Sequence, residues 1–148
     1  ENPAALPTPY AYARKAPDGA QALYESIFSD AMYGVPAQLG EKLLLLPEGL
    51  PRLDRLSVLR AGVVLAEMRK NRLEPDHGVF AAAHGTTARR LLDFAPDDPA
   101  LAAFLAGEEI ACEASGYVAV AVCGVVLGFG KASGGRLKNR YPKGLRNR

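Results

Sequence analysis

The chain contains no tryptophan, only two cysteines and two methionines, and just 7% aromatic residues. A nucleic-acid platform of rings spread over a whole sheet is therefore not expected. Two thiols, Cys112 and Cys123, allow at most one disulfide, and free thiols are the favoured alternative. Both lie in apolar, strand-like stretches and are expected to be buried and reduced. No apolar run approaches the roughly 18 residues that a membrane-crossing helix needs. A basic stretch followed by an apolar one, the mark of a secretory leader, is also missing, so a cytoplasmic protein is expected. The chain begins at Glu1 rather than Met, as expected of a piece of something longer.

Acidic charge is absent from one region only. Residues 131–148 (KASGGRLKNRYPKGLRNR) carry seven Lys or Arg and no Asp or Glu, so all sixteen acids precede them. Residues 1–130 hold sixteen acids against eleven basic residues, so the overall charge of +2 hides an acidic body and a basic end. Such an end attracts polyanions. Its Tyr141, Pro142 and paired glycines read as shaping elements rather than a featureless tail.

At 148 residues and 49% apolar content, one domain with a small appendage is expected. Residues 1–18 hold four prolines and read as a linker or extended arm. Residues 19–40 read as a small helical segment, because apolar residues recur at helical spacing from Gly19 to Met32 before Gly34 and Pro36. The main domain is expected over 41–148. Strands are expected at Glu41–Leu46 and Val58–Arg69, the latter with a helix as its competitor. A helix is expected from Glu74-Pro75-Asp76 to His84, and Thr86–Phe94 reads as either a helical turn or a strand. After a helix over Ala100–Ala106, strands at Glu109–Ala114, Tyr117–Val122 and Val125–Lys131 read as an antiparallel meander with helices on one side. The fold class is thus α+β.

Four stretches, Leu59-Arg-Ala-Gly62, Lys70-Asn-Arg-Leu-Glu-Pro-Asp-His77, Gly128-Phe-Gly-Lys131 and Lys138-Asn-Arg-Tyr-Pro-Lys-Gly-Leu-Arg146, carry a family resemblance. In order and spacing they resemble the C-terminal region of bacterial NOL1/NOP2/Sun-type RNA 5-methylcytosine methyltransferases of the RsmF class. The likeness covers roughly Glu41 to Arg146. Leu73 stands where the family has an aromatic, Asp76 where it has Ser, Phe129 where Trp is common and Arg140 where His is frequent.

The resemblance implies a PUA-like mixed β pseudobarrel with short covering helices, preceded by a short helical segment. It also implies a module that presents rRNA or tRNA to a catalytic domain elsewhere in the protein. S-adenosylmethionine and the nucleophilic Cys would belong to that domain. Cys112 follows Ala111 and Cys123 follows Val122, whereas family catalysis uses a Pro-Cys pair. No Gly-rich strand-to-helix loop is visible. The piece itself is therefore expected to be non-catalytic and to hold no cofactor.

The residues expected on the RNA face are Lys70, Asn71, Arg72, Lys131, Lys138, Asn139, Arg140, Tyr141, Lys143 and Arg146. The cations would hold phosphates, and arginine also base edges. Asn71 and Asn139 serve either bases and 2′-hydroxyls or local turns. Tyr141 either stacks on a base or packs on the barrel. His77 and His84, seven apart, lack further ligands for zinc, so no metal is expected. The competing reading is a protein-interaction domain that docks an acidic partner through the basic tail.

Overall fold

The computed structural model describes residues 14–15, 17–50 and 61–147. Most of the expected arm at 1–18 lies outside them, as do Pro51, the start of the strand expected from Val58, Leu59 and Arg60 of the first motif, and Arg148. Two five-stranded sheets make up the fold. The first runs in sequence order through β1 (Arg14–Lys15), β2 (Val35–Leu39), β3 (Lys42–Leu46), β4 (Val63–Arg69) and β5 (Arg72–Pro75), all antiparallel. The second contains β6 (Leu91–Phe94), β7 (Ile110–Ala111), β8 (Gly116–Val122), β9 (Val125–Ser133) and β10 (Arg136–Asn139), ordered β6-β8-β9-β10-β7.

Three helices join them: α1 (Ala20–Ile27), α2 (His77–Ala81) and α3 (Pro99–Ala106). Asp76 starts α2 by accepting from the Gly78 amide at 2.7 Å, and Asp98 starts α3 by accepting from Ala100 at 2.8 Å. Pro99 fills the first turn of α3 and Gly107 closes it at φ 91°.

The α+β class and the strands at 42–46 and 63–69 agree with the sequence reading, and the helix alternative for the latter falls away. Several expected elements differ. Helix α1 stops at Ile27 because Phe28 turns extended and bridges to Ala88. Neighbouring bonds, Ser29 N–H to Thr87 O and Arg89 N–H to Ile27 O, are both 2.8 Å. From Val35 the chain forms strand β2, paired with β3 across the Gly40-Glu41 turn.

Glu74 and Pro75 end strand β5 rather than open a helix, and α2 is only five residues long. The expected meander is also rearranged. Strand β7 shrinks to two residues and pairs with β10, at the far edge from β6, while β6 runs parallel to β8. Helices cover both faces of this sheet, since Phe104 of α3 packs with Val118 and Val120 while Phe80 of α2 packs with Ala119 and Phe129. Cys112 is buried as expected, but Cys123 is exposed, because it forms the β8–β9 turn at φ 48°.

The main core lies between the sheets. Leu43, Leu45 and Leu65 of the first sheet meet Phe80 of α2, which stacks on Phe129 of β9 with centroids 4.1 Å apart and planes 4° from parallel. This shared core fixes β5 and the C-terminal segment side by side.

Candidate nucleic-acid interface

Strands β4 and β5 are joined by Lys70-Asn71, both left-handed at φ 46° and 63°. That is the backbone of a tight two-residue hairpin, and Asn tolerates it better than most side chains. The turn pushes Lys70, Asn71 and Arg72 into solvent. Glu67 takes Arg69 through two hydrogen bonds of 2.8 and 2.6 Å, which raises the Arg69 pKa further. Neither Lys70 nor Arg72 forms an ion pair with another described residue.

Register across the second sheet aligns three more side chains. Tyr117 of β8 lies opposite Lys131 of β9, which lies opposite Lys138 of β10. Directly opposed residues share a sheet face. The Lys131 ammonium sits 5.5 Å from the Tyr117 ring centroid. The Tyr117 ring meets Phe129 edge-on at 6.1 Å, so it carries the aromatic stack of the core out to a partly exposed position.

The hairpin and the C-terminal segment meet at this ring. The Arg140 amide donates to the Phe129 carbonyl at 3.1 Å, and its guanidinium comes within 3.7 Å of Glu74 on β5. Burial and the Glu74 charge raise the Tyr117 phenol above its usual pKa, with Arg140 and Arg72 opposing them. Beside this contact a cavity of about 200 Å³ opens, walled by Glu74, Asp76, His77, Phe129, Arg140 and Pro142. Among the described residues, His77 Nδ1 is a buried atom without a hydrogen-bond partner. Burial lowers the His77 pKa, against a smaller opposing effect of Asp76.

Asn139, Tyr141 and Arg146 have partners inside the chain. Asn139 donates to the carbonyls of Phe104 and Glu108, each at 2.8 Å, and accepts from the Tyr141 amide at 2.8 Å. Tyr141 packs between Phe104 and His77, at 5.5 and 5.8 Å between ring centroids. Arg146 donates twice to the Tyr141 carbonyl and lies across Gly107, where a side chain would meet its guanidinium at 2.6 Å. Lys143 is exposed on a short helical turn, Lys143–Leu145. Arg72, Lys131, Lys138 and Arg140 thus lie around Tyr117 and Glu74, and Lys70 is on the adjoining β4–β5 turn. Sequence reading missed Tyr117 and Glu74, since only register reveals Tyr117 opposite Lys131.

The match to known families divides along the chain. Residues 24–83 match the model described as the RsmF rRNA methyltransferase first C-terminal domain, and residues 91–147 match the methyltransferase RsmF PUA domain. The chain belongs to the C-terminal region of the RsmF-class rRNA methyltransferases. No curated protein matches it significantly. In this RsmF region, the first match supplies Lys70, Arg72, Glu74 and His77, and the PUA match supplies Tyr117, Lys131, Lys138 and Arg140. The face is therefore built by both.

S-adenosylmethionine is the cofactor that the resemblance implies for a catalytic domain, and the described residues do not fit it. The parallel β6–α3–β8 crossover connects its first strand and helix through Ala95-Pro96-Asp97-Asp98, without a glycine. Asp98 is spent on capping α3, so this turn offers neither the close backbone approach nor the free donors that a nucleotide-like cofactor uses. Among the described residues no cluster of three or more His, Cys, Asp and Glu is placed to hold a metal ion. Nor is any described helix long and apolar enough to cross a membrane.

Proposed function

We propose that this chain is an RNA-binding module that presents rRNA to a cytosine-C5 methyltransferase domain of a longer cytoplasmic protein and is itself non-catalytic. One observation carries the reading. Four cations from two separately matched segments, Arg72, Lys131, Lys138 and Arg140, lie around a partly exposed tyrosine, with Lys70 on the adjoining hairpin turn. Lys70, Arg72, Lys131 and Lys138 engage phosphates, while Arg140 and Tyr117 lie where a base comes to rest. Asn139, Tyr141 and Arg146 support the segment that bears Arg140. A docking tail for an acidic protein would need only the C-terminal segment, whereas this face also requires the β4–β5 hairpin.

Titration of a fluorescent rRNA fragment at two salt concentrations tests the reading. Four or five phosphate contacts give a slope of about −3 in log affinity against log salt. Replacing Lys70 and Arg72 together by Ala should weaken binding and flatten the slope. Unchanged affinity in that variant, or complete displacement by polyglutamate, would count against the composite face and favour a generic polycationic tail.

A further inference from the structure

Resting on the RNA-binding reading, we infer that the cavity between β5 and the C-terminal segment is a subsite for a single unpaired nucleobase, with guanine preferred. At about 200 Å³ the cavity is smaller than the roughly 300–1,000 Å³ of ordinary small-molecule pockets, which suits one planar ring system rather than a whole nucleotide. Its walls carry Glu67, Glu74 and Asp76. Arg69 and Arg140 share the lining, so three carboxylates face two guanidiniums and the walls keep a small negative excess that does not favour a phosphate inside, whereas Arg72, Lys131 and Lys138 stand outside to hold the flanking backbone.

Two of the three carboxylates are already engaged. Glu67 holds Arg69, and Asp76 caps α2. Glu74 is the one left over. Its 3.7 Å approach to Arg140 is an ion pair but too long for a hydrogen bond. Both groups therefore keep hydrogen-bonding capacity for a ligand, and both remain partly exposed, at 28% for Glu74 and 37% for Arg140. His77 belongs to the same wall, although its unpartnered Nδ1 is itself buried.

A carboxylate beside a guanidinium complements a base edge that sets donors next to an acceptor. Guanine presents N1–H and N2–H₂ side by side for both oxygens of Glu74, and O6 next to them for Arg140. The other bases offer a single donor position to the carboxylate, so they lose one of its two bonds. Pro142 and the edge of the largely buried Phe129 complete the apolar part of the wall.

The test uses the full chain and four short single-stranded oligouridylates, unmodified or carrying one central guanosine, adenosine or cytidine. Fluorescence anisotropy is expected to show about tenfold tighter binding of the guanosine oligomer, in line with a good bidentate pair. Glu74→Gln, which turns one acceptor into a donor, should remove the difference. Equal affinity for all four oligomers, or a guanosine preference that survives in Glu74→Gln, overturns the subsite while leaving the RNA-binding reading intact. Absence of binding to every oligomer and to structured rRNA at low salt overturns both. A second measurement needs no variant: guanosine, and not adenosine, should shift the His77 imidazole resonances of the wild-type chain. Unmoved resonances at saturating guanosine overturn the inference.

Discussion

Asn139 shows how one side chain can close three backbone accounts at once. Its amide hydrogens satisfy the carbonyls of Phe104 and Glu108 at the end of α3, and its oxygen takes the Tyr141 amide. Asn139→Ala leaves the Glu108 carbonyl and the Tyr141 amide without this partner, while the Phe104 carbonyl keeps the Gly107 amide, and should destabilise the fold by about 1–3 kcal/mol. Urea denaturation measures this. RNA affinity, read well below the transition, should be unchanged if Asn139 positions rather than contacts. This role was hidden in the sequence, because the partners lie 31 and 35 residues away. The motif around it was visible, but its division between contact and support was not. His77 gives a second residue-scale expectation. Burial lowers its folded pKa below the unfolded value of about 6.5, so the unfolded chain binds the proton more readily. Stability that is present above that value is lost as pH falls through the folded pKa. Wild type should therefore lose more Tm than His77→Gln between about pH 7.5 and pH 5. Equal losses would show that other groups dominate.

Turn chemistry decides what the hairpins can present. Lys70-Asn71, Cys123-Gly124 and Gly134-Gly135 all put both loop residues in the left-handed region. The first does so without a glycine, an unfavourable choice unless the side chains serve a purpose. Replacing either residue by Gly keeps the turn while removing one side chain. Lys70→Gly should lower RNA affinity and reduce the salt slope by about 0.7, whereas Asn71→Gly should bind as wild type does. A loss of affinity in Asn71→Gly would make that amide a contact. The strands that escaped sequence reading were short or carried contrary signals. Strand β10 buries only Leu137, β5 has four residues, and β2 contains Pro36. Among the described residues, Pro36 lies outside the two-residue pairing with β1 and is paired with Leu45 of β3 alone. A proline is tolerated in such a place. Strands β8 and β9, long and strongly apolar, were legible because pattern and burial agree in them.

At the scale of the molecule, two family matches that meet near residues 84–90 share one core. Phe80 from the first stacks on Phe129 from the second, while Phe28 bridges to Ala88 and Arg89 donates to the Ile27 carbonyl. Chain order suggests a helical segment at 19–40 before a main domain at 41–148, and contacts between segments so far apart leave no local periodicity to read. The common core has a functional consequence. The face that bears Arg72 and Glu74 on one side and Lys131 and Arg140 on the other holds its geometry only if the two parts do not move independently. Phe129→Ala removes the stacking partner of Phe80 and an edge contact of Tyr117, and should destabilise the chain by about 3–5 kcal/mol. Since both sheets lose packing in the same cluster, the unfolding transition should stay single and shift as a whole, with far-UV and tyrosine near-UV circular dichroism coinciding. Two separated transitions, with one sheet outlasting the other, would show that the parts fold independently and that the composite face is assembled only when RNA is bound.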